Sequence, residues 1–504
     1  MSKRTSFRRN EMPQYLLGID VGTTGTKTIL FSDDGKILGH AYRGYSLSAP
    51  RVSWSEQRAE DWWEAVKATV REVCRDLKDP ENVAAISLSL QGGTVVPVDE
   101  KMNPLRPAIV WNDGRAGEQF EAFRKEVEPG KYAYEHCGWN MNSSLPALET
   151  RWIRDNEPEV FAKTKMILTV PDYISMKMTG IAACDLADAG INEFCDIREE
   201  KYDPNILRFA GITEEMLPKI VHTGEVIGPL TKEAAEELGL TERTVLVAGA
   251  HDQYAVVVGA GANSPGDVMI GSGTAWVVTG ISDRPAFETG LAQSVAAVPG
   301  LWGSIFSLST GGVCLEWLRN QVALGEGGEK LSYDLMNKEI ASRKAAEEGL
   351  FFYPFQGIAG EGRRFRKASF TGLDMSHDRF HMARAVMEGV VFETLWMMES
   401  FPAGDGGAIR LAGGASKSRV WSQMIADISE RPVLIPEVAD LACVGAAVIA
   451  GWGCGLYPDI ETGCRSLAVK TSEILPDEGK TEMYRTAFTQ YKEGACKLAE
   501  LYGA

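Results

Sequence analysis

The stretch Leu17-Gly18-Ile19-Asp20-Val21-Gly22-Thr23-Thr24-Gly25-Thr26-Lys27 brings a carboxylate, threonine hydroxyls, an ammonium group and two turn glycines close together. Glycines at 22 and 25 would let the backbone take positive φ and come close to a ligand, while Thr23, Thr24, Thr26 and Lys27 offer hydroxyls and a cation. That chemistry is a phosphate cradle, with Asp20 beside it; from this stretch alone an ordinary Gly-rich hairpin remains the alternative. It is not a Walker loop, because Gly-x-x-x-x-Gly-Lys-Ser/Thr cannot be placed and Thr28-Ile29-Leu30-Phe31 continues as a strand rather than a helix. Two polar tips follow apolar runs: Gln91-Gly92-Gly93-Thr94, and Trp111-Asn112-Asp113-Gly114-Arg115 with its indole, carboxylate and guanidinium. A further carboxylate, Asp252 in Gly249-Ala250-His251-Asp252-Gln253, ends the run Val245-Leu246-Val247-Ala248. At such a strand end it serves a ligand site or caps the helix that follows.

These groups need elements to hold them. Leu16 to Val21 and Thr28 to Phe31 read as strands around the first turn, Ser32-Asp33-Asp34-Gly35 as a second turn, and Ile37 to Tyr42 as a third strand. Ala59 to Leu77 carries apolar residues at helical spacing, and Val83 to Leu90 is a buried strand leading into the Gln91 tip. The middle, from about Gly117 to Thr244, reads as largely helical, with a loop at Asp185 to Asn192. Asp267-Val268-Met269-Ile270-Gly271-Ser272-Gly273-Thr274-Ala275-Trp276-Val277-Val278 then copies the opening design of strand, Gly-Thr turn, strand. Alternating strands and helices follow: Ser304 to Leu308, Val313 to Val322, Arg379 to Phe401, Ile409 to Ala412, Ser416 to Ile428, Val433 to Ile435 and Val444 to Gly453. The chain therefore reads as duplicated, with two hairpin turns facing each other across a cleft.

With 504 residues, more than one core is expected, and 69 acidic against 52 basic residues (net charge -17) argue against a broad nucleic-acid or anionic-lipid footprint. The nine cysteines are scattered without a C-x-x-C pair, which fits reduced thiols in a cytoplasmic protein. No apolar run approaches a membrane span, and residues 1–13 read as a frayed, mildly basic tail.

With these residues assembled, the chain resembles the FGGY family of carbohydrate kinases, within the actin, Hsp70 and hexokinase fold group. The most specific match is the family's C-terminal signature, met by Ala368, Phe370, Gly372, Leu373, His381, Met382, Ala385, Val386, Met387 and Glu388. The first signature is partly kept: Ser144, Pro146, Trp152, Ile153, Asp155 and Asn156 fall where expected, but Glu149 and Thr150 replace the usual lysine and apolar residue.

The resemblance implies two actin-like (ribonuclease H-like) α/β domains, each a mixed five-stranded sheet flanked by helices, over residues 14–257 and 258–504. It implies ATP bound by Thr23, Thr24, Gly25, Thr26, Lys27, Gly273, Thr274, Gly312, Glu316, Gly413, Gly414, Ala415 and Ser418. It implies Asp252 as the base that activates the acceptor hydroxyl, and Mg²⁺ near Asp20 and Asp252. The acceptor, a pentulose-type sugar or polyol, would meet Gln91, Gly92, Gly93, Trp111, Asp113 and Gln253. Glycerol kinases carry arginine and glutamate at the positions of Gly92 and Gly93, and xylulokinases methionine and histidine. The two glycines are expected to leave space for a substrate at least as large as a pentulose, or to be compensated by another loop. Another acceptor (glycerol, a tetritol, a hexulose or a furanone signal) or a non-catalytic regulator of the same fold is the alternative, and a homodimer is a candidate assembly. His251 is assigned no role, and the helix bearing His381 and Glu388 is taken as structural.

Overall fold

The computed structural model describes residues 14–502 except 128–130, 141, 326, 356, 360–362, 366, 403–405, 439, 468 and 469. It contains two compact units: the first runs past the 257/258 division and takes two later segments as well, and the second lies wholly within 258–504. The first takes the chain up to Asn263, then Ala292–Gly303 and Val438–Val469; the second takes Ser264–Leu291, Ser304–Glu437 and the chain from Lys470 onward.

In the first unit, β1 (Tyr15–Val21), β2 (Gly25–Ser32), β3 (Ile37–Gly44), β4 (Val83–Leu90), β5 (Val226–Pro229) and β6 (Val245–His251) form one sheet in the order β5-β6-β4-β1-β2-β3. β4 is parallel to both β1 and β6, whereas β2, β3 and β5 run antiparallel to their neighbours. Strands covered on both faces read as continuous apolar runs, which is why Leu16, Leu17, Ile19, Val21, Ile86 and Leu88 all lie buried with no clean alternation. α1 (Ala59–Cys74) presents Trp62, Val66, Val70 and Val73 to this sheet, the three-and-four spacing of a half-buried helix. The Asp185 to Asn192 segment, expected as a loop, is instead helix α2 (Leu186–Ile191), because the Asp185 carboxylate caps it by accepting from Ala187 and Asp188 N–H. α3 (Asp252–Gly259) starts where β6 ends.

In the second unit, β7 (Val268–Ser272), β8 (Trp276–Ser282), β9 (Trp302–Leu308), β10 (Ile409–Gly413), β11 (Val433–Pro436) and β12 (Thr471–Ile474) follow the order β9-β8-β7-β10-β11-β12. β7 pairs antiparallel with β8 and parallel with β10; β11 is parallel to β10, and β12 is an antiparallel edge. The duplication expected from the two turns is thus a shared strand plan of hairpin, two parallel strands and an antiparallel edge. The first sheet carries six strands and the other seven, Ala292–Val295 extending it beyond β9, not five each. α4 (Gly312–Gln321), α5 (Tyr333–Ala341), α6 (Arg379–Met398) and α7 (Arg419–Ser429) cover this sheet with Val386, Phe392, Met424 and Ile425.

The last helix of the plan, α8 (Leu441–Gly453), belongs to the first unit. It is buried on every side from Leu441 to Trp452, so it must be sandwiched rather than laid on a surface. Glycine makes the close approach: a methyl group at Gly18 on β1 would lie 1.9 Å from the Cys443 carbonyl oxygen, and one at Gly445 would lie 1.9 Å from that of Ala255 on α3. Among the described residues no helix is long and apolar enough to cross a membrane.

Candidate active site

In the first unit, the β1–β2 register sets Asp20 opposite Lys27 and Val21 opposite Thr26, leaving only Gly22, Thr23 and Thr24 in the turn. Gly22 N–H donates to the Gly25 carbonyl at 3.1 Å, so the turn closes without positive φ at either glycine, contrary to expectation. Gly25 is required for space instead: a methyl group there would fall 2.6 Å from the Arg43 carbonyl on β3. Thr24 is exposed, but Thr26 is fully buried and its side chain is enclosed by the fold, not offered to a nucleotide.

Asp20 is 7% exposed; Ser89 Oγ donates to its Oδ1 at 2.8 Å and Lys27 Nζ lies 3.4 Å from Oδ2. Lys27 stands 2.7 Å from Asp440, a residue sequence reasoning missed, at the N-cap of α8 where it accepts from Cys443 N–H. Burial pushes the Asp20 carboxyl up to about 6, Asp440 and then Asp252 adding to it against the pull of Lys27 and Ser89. Burial alone would lower the Lys27 pKa, but the Asp440 and Asp20 carboxylates outweigh it and hold the ammonium charged. Asp20 and Asp440 thus flank a single lysine, and the charge of Asp252 reaches Asp20.

Asp252 opens α3 at the end of β6, and its side chain is a third exposed at 34%. Gln253 Nε2 donates to its Oδ1 at 3.0 Å, and His251 Nδ1 lies 3.4 Å from the same oxygen. Beneath it, Asp185 and Asp188 are buried; burial first, then Asp185 and Asp252, raises the Asp188 carboxyl well above the usual carboxylate range.

The polar tips at Gln91 and Trp111 are tied to the turn. Gln91 is 3% exposed and its Oε1 accepts from Thr23 Oγ1 at 3.0 Å, while Trp111 Nε1 donates to the same hydroxyl at 2.9 Å. Gly92 and Gly93 do not leave a void. A methyl group on Gly92 would lie 2.8 Å from Asp188 Oδ1 and from the His251 ring, and one on Gly93 would lie 3.3 Å from Trp111 Cβ. The glycines let the tip press against these walls, so the expected extra room is already filled. Trp111 is 48% exposed, whereas Asp113 is wholly buried and fully engaged. Its oxygens accept from Ser55 N–H at 2.5 Å and from the Arg115 guanidinium at 2.8 and 2.9 Å. Arg115 in turn bonds Glu56 and lies 3.8 Å over the Trp54 ring. Asp113 therefore holds the tip's shape and is closed to a substrate.

In the second unit, Gly273 and Thr274 form an exposed turn, and the residues expected at the nucleotide gather on its supports. Ser272, absent from the expected set, is the staple. Its Oγ donates to the Ala412 carbonyl at 2.6 Å and accepts from Ala415 N–H at 3.0 Å, while its carbonyl accepts from Gly414 N–H at 2.6 Å. Gly413 has φ +94°, and a side chain there would strike the Ser272 backbone. Gly312 N–H donates to the Gly273 carbonyl at 3.2 Å and Val313 N–H to that of Thr274 at 3.1 Å, so the first donors of α4 are used by the turn. Glu316 receives Arg319 at 3.1 Å and the Tyr333 hydroxyl; that hydroxyl, with Arg319 and Asn320 outweighing the effect of burial, lowers its pKa. Ser418 is largely buried and occupied, capping α7 and donating to Asn337 Oδ1 at 2.7 Å, so it supports the helix and is not open to a nucleotide.

Duplicated sheets, each with a Gly-Thr hairpin, one with acids and a lysine and the other with glycine-lined backbone, define a nucleotide-using phosphotransferase fold. The sequence matches the FGGY family of carbohydrate kinases, N-terminal domain, over residues 15–259 and the C-terminal domain over residues 268–454. This chain belongs to the FGGY family of carbohydrate kinases, phosphotransferases with an alcohol acceptor. It is 30% identical to the gluconokinase of Bacillus subtilis (strain 168) over 489 residues, covering 94% of each chain. It is 27% identical to the xylulose kinase of the same organism over 490 residues, covering 95% of this chain and 96% of the other. The xylulose kinase structure from Rhodospirillum rubrum superposes with a TM-score of 0.88 at 27% identity, covering 97% of this chain and all of that one.

Proposed function

We propose that this kinase transfers the γ-phosphate of ATP to a hydroxyl of a pentulose-type sugar or polyol, with Asp252 as general base. The observation that carries this reading is Asp252 itself, a partly exposed carboxylate at a sheet-strand end whose Oδ1 is oriented by Gln253 and which acts electrostatically on buried Asp20. Asp252 accepts the acceptor hydroxyl's proton as the oxygen bonds to phosphorus, and the bond to the leaving ADP oxygen breaks. Gln253 keeps the acceptor-facing carboxylate in one rotamer, and Trp111 offers an apolar face for the carbon skeleton.

Among the described residues no cluster of three His, Cys, Asp or Glu forms a ready-made metal cage. The donor set still fits a hard cation that arrives with nucleotide: Asp20 and Asp252 supply carboxylate oxygens, and Asp20 is buried beside a second carboxylate, Asp440, burial first and that neighbour next raising its pKa. Mg²⁺ held there would neutralise charge on the phosphates. The turns at Thr23–Thr24 and Gly273–Thr274 present backbone to the phosphates, and Gly413–Gly414 approaches the adenosine.

A second acceptor class, the aldonates, follows from the gluconokinase relative. The test is an ADP-release assay over xylulose, other pentuloses, hexuloses, polyols and gluconate, run on the unaltered protein and on Asp252→Asn. Asp252→Asn is expected to lower acceptor-dependent turnover by ~10²- to 10⁴-fold while nucleotide affinity stays within a few fold. Full turnover in that variant refutes the assignment.

A further inference from the structure

Gln57 appears in no motif and touches neither expected ligand, yet its buried side chain is the hub of the first unit's turn. Its Nε2 donates to the Thr23 carbonyl at 2.5 Å, and its Oε1 accepts from Gln91 Nε2 at 3.3 Å and from Trp62 Nε1 at 3.1 Å. Gln91 Oε1 receives the Thr23 hydroxyl, and that hydroxyl receives the Trp111 indole N–H. Both the donor and an acceptor site of Thr23 Oγ1 are therefore spent inside the network, and its carbonyl is pinned as well. The backbone closes the same circuit: Glu56–Gln57 pairs antiparallel with Ala108–Ile109, the strand that leads into Trp111. Shifting the half-exposed indole thus pulls on Thr23, and shifting Thr23 pulls on Gln57.

We propose that Gln57 is a positioning residue that couples the two substrates: an acceptor packed on Trp111 sets the Gly22–Thr24 turn for the nucleotide phosphates, and nucleotide at the turn fixes the indole for the acceptor. This rests on the reading that Trp111 meets the acceptor and the turn meets the phosphates. A closed network of buried hydrogen bonds carries such coupling because each bond polarises and restrains the next. Coupling of this kind is reciprocal, so one factor describes both directions.

The experiment measures the affinity of a nonhydrolysable ATP analogue with Mg²⁺ by calorimetry, alone and with a saturating concentration of the best acceptor in the panel above. The unaltered protein is expected to bind the analogue about 5-fold or more tightly when acceptor is present. Gln57→Leu, which keeps the bulk and removes the amide, should bring that ratio to within about 2-fold of one, with a smaller change in either affinity measured alone. Trp111→Phe, which removes the indole N–H and keeps an aromatic face on a half-exposed side chain, must lower the same ratio and guards against a Gln57→Leu protein that fails to fold. A ratio near one in the unaltered protein overturns the inference. So does an undiminished ratio in folded Gln57→Leu or in Trp111→Phe. If those results come with normal acceptor-dependent turnover, only the coupling falls; if no acceptor is phosphorylated and the analogue does not bind, the reading of the site falls with it.

Discussion

The two Gly-Thr turns sit at equivalent places in equivalent sheets, yet they are built in opposite ways. The Gly22–Thr24 turn is held by side chains: Gln57, Gln91, Trp111 and the hydroxyls of Tyr42 and Tyr45 all reach its backbone or its threonine. It also has charge at its base, with Asp20 and Lys27 facing each other across the hairpin and Asp440 beyond. The Gly271–Thr274 turn has no charged residue and is held through backbone hydrogen bonds, from Gly312, Val313 and Gly414, and through one serine, Ser272. One strand plan therefore serves two purposes. Charge is concentrated at the first unit's turn, and the second unit's turn presents an uncharged, glycine-lined backbone surface.

The sharpest way to break this contrast is to neutralise each turn separately. Lys27→Met is expected to cut kcat by about 10²-fold, the usual cost of one well-placed electrostatic donor, whereas Thr274→Ala should stay within about 3-fold. Equal losses in steady-state kinetics would erase the distinction. A smaller effect concerns stability in the metal-free, EDTA-treated protein. Asp20 has its folded pKa raised to about 6, so its protonated form is favoured by folding and the associated stability is lost as pH rises through that value. Asp20→Asn should therefore gain on the unaltered protein between about pH 4 and pH 7, by up to about 3 kcal/mol in denaturant melts, and the second turn has no counterpart. The smallest effect belongs to Ser272→Ala, which removes two hydrogen bonds behind the second turn. KM for ATP should rise about 3- to 10-fold with kcat nearly unchanged; a fall in kcat would show that this turn, too, takes part in the chemical step.

Much of this was legible from residue order. The turn and strand signals place both hairpins, β4 spans Val83–Leu90 as expected, and Asp252 lies at a strand end as its context predicts. What escaped has a common cause: periodicity tells which residues are buried, not what they are buried against. Asp113 read as an acceptor-facing tip carboxylate because one partner, Ser55, is brought to it by the pairing of Glu56–Gln57 with Ala108–Ile109, and because Arg115, in the same tip, turns back onto it. Thr26 and Ser418 carry ligand-like hydroxyls, but strand alternation turns the first inward and helix capping uses the second. Asp440 was missed because nothing local ties it to Lys27, although an N-cap aspartate before a helix apolar on all faces was a usable signal. Gln57 had no signal, since a lone amide acquires its role only from the three elements that meet on it.

The helix α8 gives the duplicated halves an unequal inheritance. The chain leaves the first unit, builds most of the second, and then returns 438–469 to the first before completing the second. A chain cut after the first matched domain would leave Gly18 on β1 and Ala255 on α3 facing no helix, with the Lys27 ammonium stripped of Asp440. Neither half is therefore a free-standing module that could be exchanged with another kinase by simple fusion. Recombination, natural or engineered, has to carry the late segment together with the early one.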